Sequence, residues 1–161
     1  MRVGIGFDAH SLAEGRPLVL GGVDIQSDKG LLGWSDADVL VHAVIDALLG
    51  AASLGDIGTY FPPDNPAYEG ISSILLLSHT NDMLTREGWR VGNIDATIVA
   101  ERPLLHPFVD QMRQNISEAL SVGRSQVGVK ATTTERMGFC GREEGIAAYA
   151  VALLVEHDQS I

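Results

Sequence analysis

Between Ser35 and Gly55 the chain reads SDADVLVHAVIDALLGAASLG, a run whose apolar residues recur at helical spacing and which stops at a glycine. That pattern predicts a helix, with Ser35 as its capping residue and Asp38 three positions on. Asp38, His42 and Asp46 are spaced by four, so they share one stripe of it. A carboxylate in the middle of so apolar a run is costly to bury unless it has a partner. An acid in the first turn suits the helix dipole, and Asp46 would equally suit a solvated face. The alternative is that His42 binds a metal, with a neighbouring carboxylate or carbonyl orienting its ring.

The rest of the chain is punctuated around that helix. RVGIGF reads as a first strand, and PLVLGGVDI as a hairpin turning at Gly21-Gly22. DIGTYFPPDNPAYEG is a loop by its prolines, glycines and Asp/Asn content. ISSILLLSHTNDMLTREG predicts a second helix ending at Gly88, VGNIDATIVAERP a strand, PFVDQMRQNISEALSV a third helix, and QVGVKATTTE a strand running into a polar loop. GIAAYAVALLVEHD stays open between helix, on its alanines, and strand, on its alternation. Mixed strands and helices over 161 residues imply one α/β (α+β) domain, residues 1–161, with no linker or repeat. The formal net charge of −10 argues against nucleic acid and anionic membranes as partners. No apolar stretch reaches the ~18 residues of a membrane span, and no signal peptide opens the chain. The one cysteine, Cys140, permits no internal disulfide, in keeping with a reducing compartment. An anionic substrate would need local positive potential from metal ions, amides or a few basic side chains.

Three places carry chemistry. Asp8 and His10, two apart after the first strand, point to one face and could reach one ion; alone they read equally as a loop aspartate and a surface histidine. With His42 they make two histidines and one carboxylate with an open fourth position, the donor set of a catalytic zinc site. Spacing alone does not decide the matter. In KATTTERMGFCGR, three threonines precede Glu135, and a single carboxylate with substrate phosphates is what magnesium prefers; a strand-end cap reads the same way. Lys130 and Arg142 bring positive charge there or are merely solvated. In DIGTYFPPD, Asp56 and Gly58 offer a carboxylate and a bare backbone to sugar-like hydroxyls, or form an ordinary turn.

Together, GIGFDAHSL, GWSDADVLVHAVIDALLGAASLGDIGTYFPP and VKATTTERMGFCGREEGIA resemble the 2-C-methyl-D-erythritol 2,4-cyclodiphosphate synthase family over nearly the whole chain. The resemblance implies a homotrimer with active sites between subunits, each subunit a mixed β-sheet flanked by helices, and the open last segment a strand near the three-fold axis. It implies conversion of 4-diphosphocytidyl-2-C-methyl-D-erythritol 2-phosphate to the cyclic diphosphate with release of CMP, a phosphorus–oxygen lyase step of the non-mevalonate isoprenoid pathway. Asp8, His10 and His42 would bind Zn2+ or another divalent cation, and Glu135 would bind Mg2+ or Mn2+ with the substrate phosphates. Thr133 matches a transition-state-stabilising threonine. Ser35, taken to stand at the helix N-terminus, suits an anionic oxygen. Asp56, Ile57, Gly58, Phe61, Asp64 and Asn65 match the positions around the erythritol. Ala100, Pro103, Leu104, Leu105 and His106, with Ala131, Thr132, Thr133 and Thr134, match the cytidine pocket. Phe139 and Arg142 match a central cavity able to hold an isoprenoid diphosphate.

Four places in the chain depart from the family pattern. Trp34 replaces a common histidine beside Ser35 at a catalytic and substrate-binding position, and offers one N–H donor. Leu104 replaces a lysine, Pro63-Asp64-Asn65 varies a loop, and Tyr149 stands at a position acidic in some relatives. Two rival functions follow: a non-catalytic paralogue binding a cyclodiphosphate or isoprenoid phosphate, and a zinc-dependent phosphohydrolase. The expected location is the cytoplasm, or the plastid stroma if the chain is a processed form.

Overall fold

The first strand is longer than RVGIGF. In the computed structural model, which describes residues 1–156, β1 runs from Arg2 to Glu14 and carries Asp8 and His10 within it. A hairpin follows, β2 (Leu18–Leu20) and β3 (Val23–Ile25), turning on Gly21 and Gly22 at φ +58° and +69°. Two successive left-handed residues suit the twist of a two-residue hairpin, and glycine adopts them without steric penalty. Then come β4 (Lys29–Leu31), helix α1 (Val39–Ala52), a short α2 (Ile57–Tyr60), α3 (Ser73–Arg86), β5 (Trp89–Val99), α4 (Val109–Ala119), β6 (Val127–Thr132), a short α5 (Gly138–Gly141) and β7 (Gly145–Glu156). The expected loop after Gly55 therefore holds α2 and a 3-10 turn at Pro66–Tyr68. The ambiguous last segment is strand β7; its final residues, His157 and Asp158, and the rest of 157–161 lie outside the described residues.

The main sheet has the order β4-β1-β7-β5-β6. β7 pairs antiparallel with β1 (His10 opposite Ile146) and with β5, while β5 and β6 run parallel, joined through α4. Helix α1 lies on the sheet, with α3 against it. It buries eleven of its fourteen residues, as a helix that is apolar nearly all round must. On the sheet's other face α5 covers one end, where Cys140 packs on Val99 and Ala147, while Val3, Ile5, Phe7, Tyr149 and Val151 form an exposed apolar strip across β1 and β7. This is a single-domain α+β fold with a mixed sheet and flanking helices.

Helix α1 begins at Val39, so the expected cap at Ser35 is corrected. Ala37 sits in the left-handed region at φ +58° and breaks the path into the helix. The cap is Asp38. Its carboxylate accepts from Val41 N (3.1 Å), and also from Gly21 N (3.0 Å) and Gly22 N (2.7 Å) in the hairpin turn. Burial pushes this carboxyl up to about 6, helped by the charge of Asp36 and resisted by the three amides.

Candidate active site

Strand periodicity of two puts Gly4, Gly6, Asp8 and His10 on the side of β1 that faces α1. The two glycines let the helix backbone rest on the strand. A β-carbon on Gly6 would meet Ala47 N at 2.6 Å and the Ala43 carbonyl more closely still, and one on Gly4 would meet Ala51 N at 2.5 Å. One residue before Ala43, His42 then faces the next residues of the strand. Asp8 Oδ2 lies 2.9 Å from His10 Nε2 and 3.0 Å from His42 Nδ1, and the two ring nitrogens are 3.2 Å apart.

The back of each ring fixes its proton. His10 Nδ1 lies 2.6 Å from the carbonyl of Leu32, which can only accept, so Nδ1 carries the hydrogen. His42 Nε2 lies 2.9 Å from Ser73 Oγ and 3.1 Å from Ser35 Oγ. Ser73 Oγ donates its proton to Asp36 and faces the ring with a lone pair, so His42 is protonated at Nε2. Neutral His10 Nε2 and His42 Nδ1 thus present lone pairs to each other across 3.2 Å, beside a carboxylate. A tetrahedral ion with bonds of about 2.0–2.1 Å spaces its ligands about 3.3 Å apart, close to this triangle. The three residues fit a divalent cation.

Without a cation, a proton shared with Asp8 takes its place. Burial pushes the Asp8 carboxyl up, but hydrogen bonds and charge from His10 and His42 outweigh it and hold the group well below the usual carboxylate range. Burial pulls His10 down, but its contacts with Asp8 raise it. Asp46 stands one turn beyond His42. Its carboxylate accepts from Ile57 N at 2.8 Å, and burial raises it. The stripe read from spacing therefore serves three partners: Asp38 the hairpin, His42 the strand, Asp46 the start of α2.

A cavity of about 240 Å³ surrounds the triad, lined further by Trp34, Ser35, Ile57, Gly58, Phe61, Pro63 and Tyr68. Ser35 lies here through its contact with His42 rather than at a helix end. Asp56 caps α2; one carboxylate oxygen accepts from the hydroxyl and amide of Thr59 (both 2.9 Å), which lowers the exposed group. The indole N–H of Trp34 donates to the carbonyl of Asn65 (2.9 Å) and so ties down the 61–70 loop. Asn65 itself caps the 3-10 turn there, while Asp64 is exposed and outside the cavity wall.

A second cavity, about 470 Å³, is lined by Ala100, Pro103, Leu104, Leu105 and His106 with Ala131, Thr132 and Thr133. Beside it Glu135 and Arg136 adopt left-handed φ of +53° and +64°, and Thr133 Oγ1 donates to Glu135 Oε1 at 2.9 Å. Glu101 holds this turn, accepting from the amides of Thr134 (2.9 Å) and Arg136 (3.2 Å), which lower its carboxyl. Thr134, Phe139, Met137, Cys140 and Tyr149 line a third, apolar cavity, and Arg142 is paired with Glu144. The structure does not bring these together with the first cavity within one chain. Asp8 on β1 and Thr132 on β6 are separated by β7 and β5, three strand spacings or about 14 Å.

Ser73, Asp36, Leu32 and Glu101 were not singled out in the sequence. A histidine inside an apolar helix signals that some partner exists, but Ser73 lies 31 residues from His42 and no local pattern names it.

The YgbB family model matches residues 1–155. The 2-C-methyl-D-erythritol 2,4-cyclodiphosphate synthase of Pelotomaculum thermopropionicum is 59% identical over 160 residues, covering 99% of both chains. That of Syntrophobacter fumaroxidans is 58% identical over 154 residues, 96% of this chain and 97% of its own. Among solved structures, the IspF–CDP complex of Plasmodium falciparum superposes with TM-score 0.85 at 31% identity, covering 98% of this chain and 97% of that one. The bifunctional IspDF of Campylobacter jejuni superposes with TM-score 0.92 at 41% identity, over 96% of this chain and 42% of the longer protein.

Proposed function

The chain belongs to the YgbB family and shares the cyclodiphosphate synthase function of its relatives, and from that premise we propose how its own residues carry the reaction. The observation that carries the reading is the close grouping of His10 Nε2, His42 Nδ1 and the Asp8 carboxylate, all within 3.2 Å of one another. The substrate is 4-diphosphocytidyl-2-C-methyl-D-erythritol 2-phosphate. An oxygen of its 2-phosphate attacks the β-phosphorus of its own CDP group. One P–O bond forms, the bond between the β-phosphorus and the α,β-bridging oxygen breaks, and CMP leaves with that oxygen. This is a phosphorus–oxygen lyase step.

Both reacting groups belong to one molecule, so the protein's work is to fold the substrate and balance its charge. Two nitrogens and one carboxylate with an open fourth position suit zinc, which when bound supplies Lewis acidity toward a phosphate oxygen. Glu135, alone but beside a hydroxyl-rich turn, suits magnesium or manganese shared with substrate phosphates. Asp56 and the bare backbone at Gly58 bind the erythritol hydroxyls. The Ser35 hydroxyl, whose proton no other described residue takes, donates to a phosphate oxygen. Trp34 holds the loop that walls the metal cavity. The second cavity takes the cytidine, and Thr133 faces the diphosphate.

The 14 Å gap within one chain supports sites assembled between subunits. The uncovered strip of Val3, Ile5, Phe7, Tyr149 and Val151 supports a trimer closed around that face, since contiguous exposed apolar surface marks an interface. Among the described residues no helix is long and apolar enough to cross a membrane. The test is product analysis by phosphorus NMR with zinc and magnesium present. CMP with the cyclic diphosphate is expected. CMP with a linear product would make the protein a hydrolase, and binding without turnover would leave it a sensor.

A further inference from the structure

We propose that Ser73 and Asp36 form a positioning relay that locks His42 as its Nε2–H tautomer and aims Nδ1 at the cation, an inference that rests on the metal reading above. Ser73 is the first residue of α3 and fully buried. Asp36 receives both of its protons: one carboxylate oxygen accepts from Ser73 N at 2.8 Å, the other from Ser73 Oγ. A hydroxyl has one proton. Toward His42 Nε2, 2.9 Å away, Ser73 can therefore only accept.

Ser35 cannot do this work. Its oxygen lies 3.1 Å from the same nitrogen and takes the amide of Ala37 at 3.3 Å, but its own proton is free to point at the ring or away. With Ser35 alone, His42 could adopt either tautomer. With Ser73 in place, the other tautomer sets lone pair against lone pair at Nε2 and, although its Nδ1–H could donate to Asp8 Oδ2 at 3.0 Å, puts a hydrogen where the cation must sit. The carboxylate acts through one intervening hydroxyl, and its negative charge strengthens His42 as a donor, as outer partners of metal-bound histidines do. The relay also has a mechanical side, since it ties the first turn of α3 and the 33–38 segment to the back of a ligand carried on α1.

The test compares the parent with Ser73→Ala, Ser35→Ala and Asp36→Asn in two measurements. One is the zinc dissociation constant by chelator competition. The other is the His42 tautomer in metal-free protein, read from histidine nitrogen-15 spectra in an Asp8→Ala background so that no carboxylate competes for the Nδ1 proton, and assigned by loss of signal in His42→Gln. Ser73→Ala should weaken zinc about 10–100-fold and turn the Nε2–H pattern into a mixture. Ser35→Ala should leave both readouts close to the parent. Asp36→Asn should fall between, because the asparagine amide oxygen still accepts from the Ser73 hydroxyl but without charge; it also carries the test should Ser73→Ala fail to fold. Equal affinity and an unchanged tautomer in Ser73→Ala would overturn the relay, as would a larger effect from Ser35→Ala. If the parent itself takes no zinc, the metal reading fails, and the tautomer measurement still judges the relay.

Discussion

Replacing Gly6 with alanine sets a methyl group 2.6 Å from Ala47 N and nearer still to the Ala43 carbonyl. Both are backbone atoms of α1, so no side chain can swing aside. Ordinary contact begins near 3.4 Å, so by the Ala47 contact alone strand and helix must part by at least 3.4 less 2.6, about 0.8 Å, and the closer Ala43 carbonyl asks for more. Overpacking costs about 1–3 kcal/mol, and backbone against backbone belongs at the upper end. At about 2–4 °C per kcal/mol for a chain of this size, Tm should fall by about 6–12 °C. The cation should suffer separately. Asp8 and His42 flank this very contact, and the triangle they form with His10 has edges of 2.9–3.2 Å. Metal–ligand bonds tolerate about 0.2 Å, so the same separation should raise the zinc dissociation constant at least about tenfold, or ~1.4 kcal/mol. Melting by circular dichroism at equal protomer concentration, with and without chelator, reads the first effect. Chelator competition reads the second. A melt within about 2 °C of the parent together with unchanged zinc affinity would refute the idea that the two glycines set the height of α1 above β1.

Asp38 has a folded pKa of about 6 against an ordinary 3.8, so the folded state binds more protons between those values. Its contribution is fully present below pH 3.8 and is lost as pH rises through 6, roughly 3 kcal/mol from 2.2 units at 1.36 each. Urea unfolding of the parent and Asp38→Asn across that window should show the parent losing about that much relative to the variant; a constant difference removes the claim. Trp34→Phe keeps the ring but loses the tether to Asn65, one hydrogen bond of about 0.5–1.5 kcal/mol, so KM should rise about 2–10-fold with kcat little changed, and an unaltered KM would show that the loop needs no latch. Glu135→Gln should retain zinc, lose most activity and demand more magnesium or manganese; kinetics and metal dependence equal to the parent's would leave Glu135 a strand-end cap.

Much of this site could be read from the chain because its signals are local. Gly21-Gly22 announces its own turn, and the four-residue spacing of Asp38, His42 and Asp46 survives into α1. The cap expected at Ser35 falls at Asp38 for a local reason too: nothing in SDAD tells which acceptor the helix uses, and the left-handed Ala37 decides it. The last strand was ambiguous because β7 is buried on one face by small alanines and flanked on both edges, so neither periodicity dominates. The supports of the metal ligands escaped altogether. Leu32 and Ser73 reach His10 and His42 across 22 and 31 residues, and only packing brings them there. That the two cavities lie three strand spacings apart within one chain follows from strand order, which sequence pattern does not encode.

The carboxylates of α1 also have a consequence for the timing of hydrogen exchange. The amides of Gly21 and Gly22 lie far in sequence from that of Ile57, yet each donates to an acid on or capping that one helix. Releasing any of them strands a buried or half-buried acceptor, so the three should exchange together, in one cooperative opening of α1 rather than as separate loop motions. A ligand that binds only the closed state deepens that opening by RT ln(1 + [L]/Kd), about 2.7 kcal/mol at a hundredfold excess over Kd. Zinc at His42 should therefore slow exchange about a hundredfold at the Gly21-Gly22 turn, a hairpin that supplies no ligand and lies outside the metal cavity.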